Sequence, residues 1–208
     1  MFEAKLRPQI SSILYPIAKK IAAFGITANM VTLLGFFVNL VAAFCIATGR
    51  LVLAGILILV GSSFDMMDGA VARAETNSNS SGALLDSVID RYSEAVIFFG
   101  AFLYFYFHSN LLGVIFVFAS AIGSILVSYI RARAEGLQIE CKVGFMQRPE
   151  RIVLLAVGVF VQGLVLLKSG DLQSKELILV SVFAILAVTS HITAIHRLVF
   201  SLSELSNR

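Results

Sequence analysis

The chain alternates long apolar runs with short polar breaks. The runs cover about 28–48, 51–73, 82–107, 111–134, 151–167 and 176–200. A helix needs roughly 20 mainly apolar residues to cross about 30 Å of hydrocarbon, so each run predicts one membrane-spanning helix. The breaks are Gly49-Arg50, a Ser/Asn-rich stretch over 76–81, His108-Ser109-Asn110, and the segments 135–150 and 168–175. Upstream, Ile10, Ile13, Leu14, Ile17 and Ile21 form an apolar face beside Lys19 and Lys20, the pattern of an amphipathic helix lying in the membrane interface. The predicted fold class is an all-α integral membrane protein. Six transmembrane helices fill residues 28–208, preceded by an amphipathic interfacial segment over 1–27.

Composition agrees. Hydrophobic residues make up 58% of the 208 and charged residues 14%, against about 45–50% and 25% in ordinary globular chains. Mean hydropathy is +0.91. A disordered chain, a coiled coil and a nucleic-acid-binding domain are all excluded. No cleavable signal peptide is evident, because the first 20 residues hold no continuous apolar stretch. Cys45 and Cys141 stand far apart, with neither disulfide nor metal spacing.

Charge then orients the bundle. With six spans, both termini and the second and fourth loops share one side. Every Lys and Arg except Arg50, Lys168 and Lys175 falls there. The positive-inside rule makes that side cytoplasmic in a multi-pass protein of the cell membrane. An odd number of spans would mix the two groups.

Spans two and three hold what a lipid-facing helix should not. The chain reads Asp65-Met66-Met67-Asp68-Gly69-Ala70-Val71-Ala72-Arg73, then eight residues, then Gly82-Ala83-Leu84-Leu85-Asp86-Ser87-Val88-Ile89-Asp90. Asp65 and Asp68 share a helical face, as do Asp86 and Asp90, and a hairpin of the two helices would bring the faces together. An unpaired carboxylate at membrane depth costs about 3 kcal/mol or more. Four of them call for cations, and hard oxygen ligands suit Mg²⁺ or Mn²⁺. Two bridged ions would match a phosphoryl-transfer site. Glu94 continues the same face and is read as bracing Arg91 or another arginine.

This pattern, D-x-x-D-G-x-x-A-R followed after eight residues by G-x-x-x-D-x-x-x-D, resembles the signature of the CDP-alcohol phosphatidyltransferases, with every position filled. Gly25-Ile26-Thr27-Ala28-Asn29, followed by Thr32 and Gly35, is similar to that family's lead into span one, with Ala28 in place of the usual Pro. The resemblance implies transfer of a phosphatidyl group from CDP-diacylglycerol to an alcohol with release of CMP, the site opening to the cytoplasm. It implies that Asp65, Asp68 and Asp86 hold one Mg²⁺ or Mn²⁺ ion and that Asp86 helps with a second. Asp90 belongs to the same metal set and serves as the general base. Asn29, Thr32, Asp68, Gly69, Arg73 and Gly82 would bind the CDP-lipid. The family also implies a homodimer.

The acceptor is suggested by a second resemblance. Ser128-Tyr129-Ile130-Arg131-Ala132-Arg133-Ala134-Glu135 and Gly144-Phe145-Met146-Gln147-Arg148-Pro149-Glu150-Arg151 are similar to stretches of phosphatidylinositol-phosphate synthases. Thr193-Ala194-Ile195-His196-Arg197 is similar to a third. The first stretch carries Arg131 where those enzymes usually have Lys, and the third carries His196 where they usually have Gln. By this resemblance the acceptor is inositol phosphate, with Arg131, Arg151, Arg197 and Arg148 binding its phosphate. Two rivals are a sister enzyme using glycerol 3-phosphate or serine and a divalent-cation transporter. A transporter would want ligands near the midplane and an exit path to the far side. Here the acids cluster near one end of spans two and three.

Overall fold

The structure, a computed structural model, describes residues 16, 18–20, 23–74, 80–169 and 176–207. It is helical, with no strand among the described residues. Among the described residues six long helices follow in order: α1 (Ala28–Ala47), α2 (Leu51–Ala74), α3 (Ser80–Phe107), α4 (Leu111–Gly136), α5 (Arg148–Ser169) and α6 (Leu177–Ser206). Most of the amphipathic segment expected before α1 lies outside the described residues.

Local chemistry sets the ends. Thr27 caps α1 in extended conformation, its hydroxyl accepting from Met30 N at 3.4 Å. Gly49, at φ +76, makes the left-handed turn that reverses the chain into α2. Asn110 caps α4, its Oδ1 accepting from Gly113 N at 2.9 Å. Pro149 sits in the first turn of α5, where a missing N–H costs nothing, so that helix starts three residues before the apolar run.

The main packing pairs are α1 on α2, α2 on α5, α5 on α6, α6 on α4, α4 on α3, and α3 on α1. They trace a closed ring of six helices. At Gly100 the α1–α3 crossing is so close that a Cβ would lie 2.4 Å from Ala43 O. One apolar core draws on all six helices, including Ile46, Ile58, Phe105, Val117, Val159 and Phe183. It fills the end of the ring away from the aspartates.

Large apolar side chains also face outward. Phe44 is 64% exposed and Phe118 64%. Such a belt suits hydrocarbon rather than water. Among the described residues five helices are long and apolar enough to cross a membrane: Ala28–Ala47, Leu51–Arg73, Leu111–Gly136, Arg148–Lys168 and Leu177–Ser206. α3 is as long, but Asp86, Asp90, Arg91 and Glu94 keep it outside that group.

Candidate active site

The four aspartates come from the last turns of α2 and the first turns of α3. The expected hairpin is not a packed pair. Among the described residues α2 and α3 each lean on α1 and make little direct contact. Like charges on their facing sides favour separation. Arg148, from the start of α5, reaches between them. Its Nη1 lies 2.8 Å from Asp65 Oδ2 and its Nη2 2.9 Å from Asp90 Oδ1. Asp90 Oδ2 also lies 3.5 Å from Arg91 Nη1. Asp68 is 3% exposed, and its Oδ2 lies 2.7 Å from the hydroxyl of Thr32 on α1. Asp86 is within electrostatic reach of Arg148 and Arg91, and Asp65, Asp68 and Asp90 are within reach of Asp86.

This set fits a hard divalent cation by donor chemistry. It offers four carboxylates, and two of their buried oxygens, Asp65 Oδ2 and Asp90 Oδ1, are held by Arg148 in ion pairs. Asp65 and Asp90 stand on either side of Arg148. Among the described residues no three acidic, His or Cys side chains converge as a ready cluster. Seating a cation between Asp65 and Asp90 therefore requires the Arg148 guanidinium to withdraw.

The residues expected to meet the CDP-lipid ring the same mouth. Asn29 stands against Gly82, where a Cβ would lie 3.3 Å from Asn29 Oδ1. Gly69 keeps its surroundings open, since a Cβ there would meet only Arg73 Nη1, at 3.6 Å. Arg73 is exposed in the last turn of α2. Thr32 is committed to Asp68.

The basic residues divide into two groups. Arg197 on α6 is within electrostatic reach of Arg131 on α4 and of Arg151 on α5. Arg148 stands apart on the aspartates. Arg131 is half exposed and pairs with Glu135 at 2.8 Å. Arg197 is 2% exposed and donates to Val143 O at 2.9 Å and Val127 O at 2.8 Å, holding the α4–α5 loop. Arg151 is 2% exposed and is gripped by Glu94, Nε to Oε1 at 2.8 Å and Nη2 to Oε2 at 3.1 Å. The sequence reading gave Glu94 an arginine without saying which one, and it missed the bridging of Asp65 and Asp90 by Arg148. The i,i+4 run Asp86–Asp90–Glu94 was the available signal for the first. Nothing in the spacing signalled the second.

The sequence profile of the CDP-alcohol phosphatidyltransferases matches residues 25–195. The chain belongs to that family. This CDP-alcohol phosphatidyltransferase is 38% identical over 155 residues to an archaetidylinositol phosphate synthase of Pyrococcus horikoshii, covering 74% of this chain and 80% of the relative. It is 32% identical over 160 residues to a phosphatidylinositol phosphate synthase of Mycobacteroides abscessus, covering 76% of this chain and 72% of that one. Its fold is similar to a crystal structure of the Mycobacterium tuberculosis phosphatidylinositol phosphate synthase with CDP-DAG bound. That match has a TM-score of 0.80 and 31% identity, over 91% of this chain and 94% of the other. The same mycobacterial enzyme in complex with manganese and citrate matches with TM-score 0.80 and 31% identity, over 91% of this chain and 88% of that chain. The enzyme is thus a multi-pass membrane transferase of phospholipid biosynthesis.

Proposed function

We propose that the enzyme transfers the phosphatidyl group of CDP-diacylglycerol to inositol phosphate and releases CMP. The observation that carries this reading is the grouping of Arg131, Arg151 and Arg197 on the helices that complete the ring around the aspartates. A guanidinium within electrostatic reach of two others suits a phosphate. Inositol phosphate brings a phosphate, whereas free inositol and serine bring none.

Asp65, Asp68, Asp86 and Asp90 would hold two Mg²⁺ or Mn²⁺ ions, which supply charge neutralisation for the pyrophosphate of the donor. Asn29 and the bare backbone at Gly69 and Gly82 admit the cytidine and its ribose, and Arg73 meets a donor phosphate. Asp90 takes the proton from the attacking acceptor hydroxyl. The new bond joins that oxygen to the phosphorus that carries the lipid, and the bond from this phosphorus to CMP breaks. Arg148 bridges Asp65 and Asp90 until a cation takes its place.

The excess of Lys and Arg on one side supports cytoplasmic termini and a cytoplasmic site. The ring supports a six-span count over 28–208, because α3 closes it and its residues after Glu94 carry no charge before Phe107. One observation favours a second donor reading. Relatives at 38% and 36% identity are archaetidylinositol phosphate synthases, so an ether-linked CDP-lipid is its direct competitor.

The test is CMP release by purified enzyme with Mg²⁺, using each CDP-lipid against inositol phosphate, inositol, glycerol 3-phosphate and serine. Inositol phosphate should give the highest kcat/KM, and preference for any other acceptor overturns the assignment. The better donor decides between the tails.

A further inference from the structure

Glu94 is 7% exposed, and the chemistry above gives it no part. It lies one turn beyond Asp90 on α3, and three donors converge on its oxygens. Arg151 Nε meets Oε1 at 2.8 Å, Arg151 Nη2 meets Oε2 at 3.1 Å, and Ser124 Oγ meets Oε2 at 2.5 Å. Helices α3, α4 and α5 are thus tied through one carboxylate. The grip consumes one edge of the guanidinium. Nη1 is left with a 3.4 Å contact to Met146 O, long enough to be readily exchanged for a better acceptor.

We propose that Glu94 is a positioning residue for the acceptor site: it locks Arg151 by its Nε/Nη2 edge so that Nη1 is presented to the acceptor's phosphate, with Ser124 fixing the carboxylate in turn. The proposal rests on the reading of Arg151 as a phosphate ligand. A long arginine side chain has many rotamers, and freezing one before the ligand arrives lowers the entropy lost on binding. A two-point carboxylate grip fixes the plane of the guanidinium as well as its place.

A counter-charge role predicts the opposite sign. If Glu94 served only to balance arginines, neutralising it would leave the pocket more positive and the acceptor would bind more tightly. Glu94→Gln keeps the volume and removes both the charge and the two-point grip. Its KM for inositol phosphate should rise at least about tenfold, with the KM for CDP-diacylglycerol and the kcat at saturating acceptor within about threefold of wild type. Ser124→Ala keeps the grip and loosens its tether, so it should shift the acceptor KM the same way by a smaller factor. An acceptor KM that is unchanged or lower in Glu94→Gln overturns the proposal. If Glu94→Gln does not accumulate folded, Ser124→Ala decides, and a wild-type acceptor KM in that variant overturns it. Arg151→Lys is measured alongside. Normal acceptor kinetics there would overturn the underlying reading of Arg151, a different failure from a Glu94 variant that is silent while Arg151→Lys is impaired.

Discussion

Thr32 on α1 sets its hydroxyl 2.7 Å from Asp68 Oδ2 on α2, and both side chains are buried. A carboxylate at that depth is tolerated only when its oxygens are engaged. Thr32 thus acts on the site through a metal-ligand candidate, whatever it contributes to the CDP-lipid. Thr32→Val keeps the shape and removes the donor, which should weaken the carboxylate's hold on a cation by about tenfold. The Mg²⁺ concentration for half-maximal CMP release should rise by that factor, and Thr32→Ser should restore it.

Chelation should abolish transfer, and Mg²⁺ or Mn²⁺ should bring it back. Asp65→Asn and Asp68→Asn should each lose at least about 10²-fold in kcat/KM while inserting normally, since hydrophobicity and helix propensity barely change. Mn²⁺ binding followed by electron paramagnetic resonance should weaken in both. Near-normal turnover in EDTA would sink the metal reading.

Asp90→Asn separates proton transfer from donor binding. The variant should still bind CDP-diacylglycerol in equilibrium measurements and turn over at least about 10²-fold more slowly. A wild-type rate at saturating acceptor would remove Asp90 as the base.

Much of this was legible in the sequence because the membrane simplifies the physics. A 20-residue apolar run has one structural outcome, so five helices match it closely. Helix α3 was read from the same pattern, yet Asp86, Asp90, Arg91 and Glu94 dilute its first half. The aspartates were legible because acids so close together in an apolar context have few explanations. Pairing across the ring was not. Arg148 belongs to α5 in sequence and to the aspartates in space, and the partner of Glu94 lies 57 residues away. Such choices depend on the order of helices around the ring, which hydropathy does not encode. The close approach of Gly100 to Ala43 O shows the same limit. Glycine there reads as neutral in sequence, yet Gly100→Ala should lower stability by about 1–3 kcal/mol, seen as a lower Tm in detergent.

The acceptor arginines give the last prediction, and their surroundings decide which variants are informative. Arg197 donates to Val143 O and Val127 O. Truncating it would orphan two carbonyls and unsettle the α4–α5 loop, so a KM change in Arg197→Ala would mix structure with binding. Arg131 is the cleaner probe. Its side chain is 43% exposed and its partner Glu135 50% exposed, and an exposed pair of that kind contributes about 0–1 kcal/mol to stability. Arg131→Gln should therefore keep the wild-type Tm. Losing one charge-assisted bond to the acceptor should cost roughly 1.5–3 kcal/mol, a rise of about 10- to 100-fold in the KM for inositol phosphate. The KM for CDP-diacylglycerol should move little, because the donor's residues sit on α1, α2 and α3. Arg197→Lys should raise the acceptor KM and lower Tm together, since an ammonium cannot reach both carbonyls in the fork geometry. Free inositol supplies the control. It has no phosphate for the arginines to meet, so its weak turnover should be the same in wild type and Arg131→Gln. If Arg131→Gln leaves inositol phosphate kinetics untouched, or harms free inositol equally, the phosphate does not sit on Arg131.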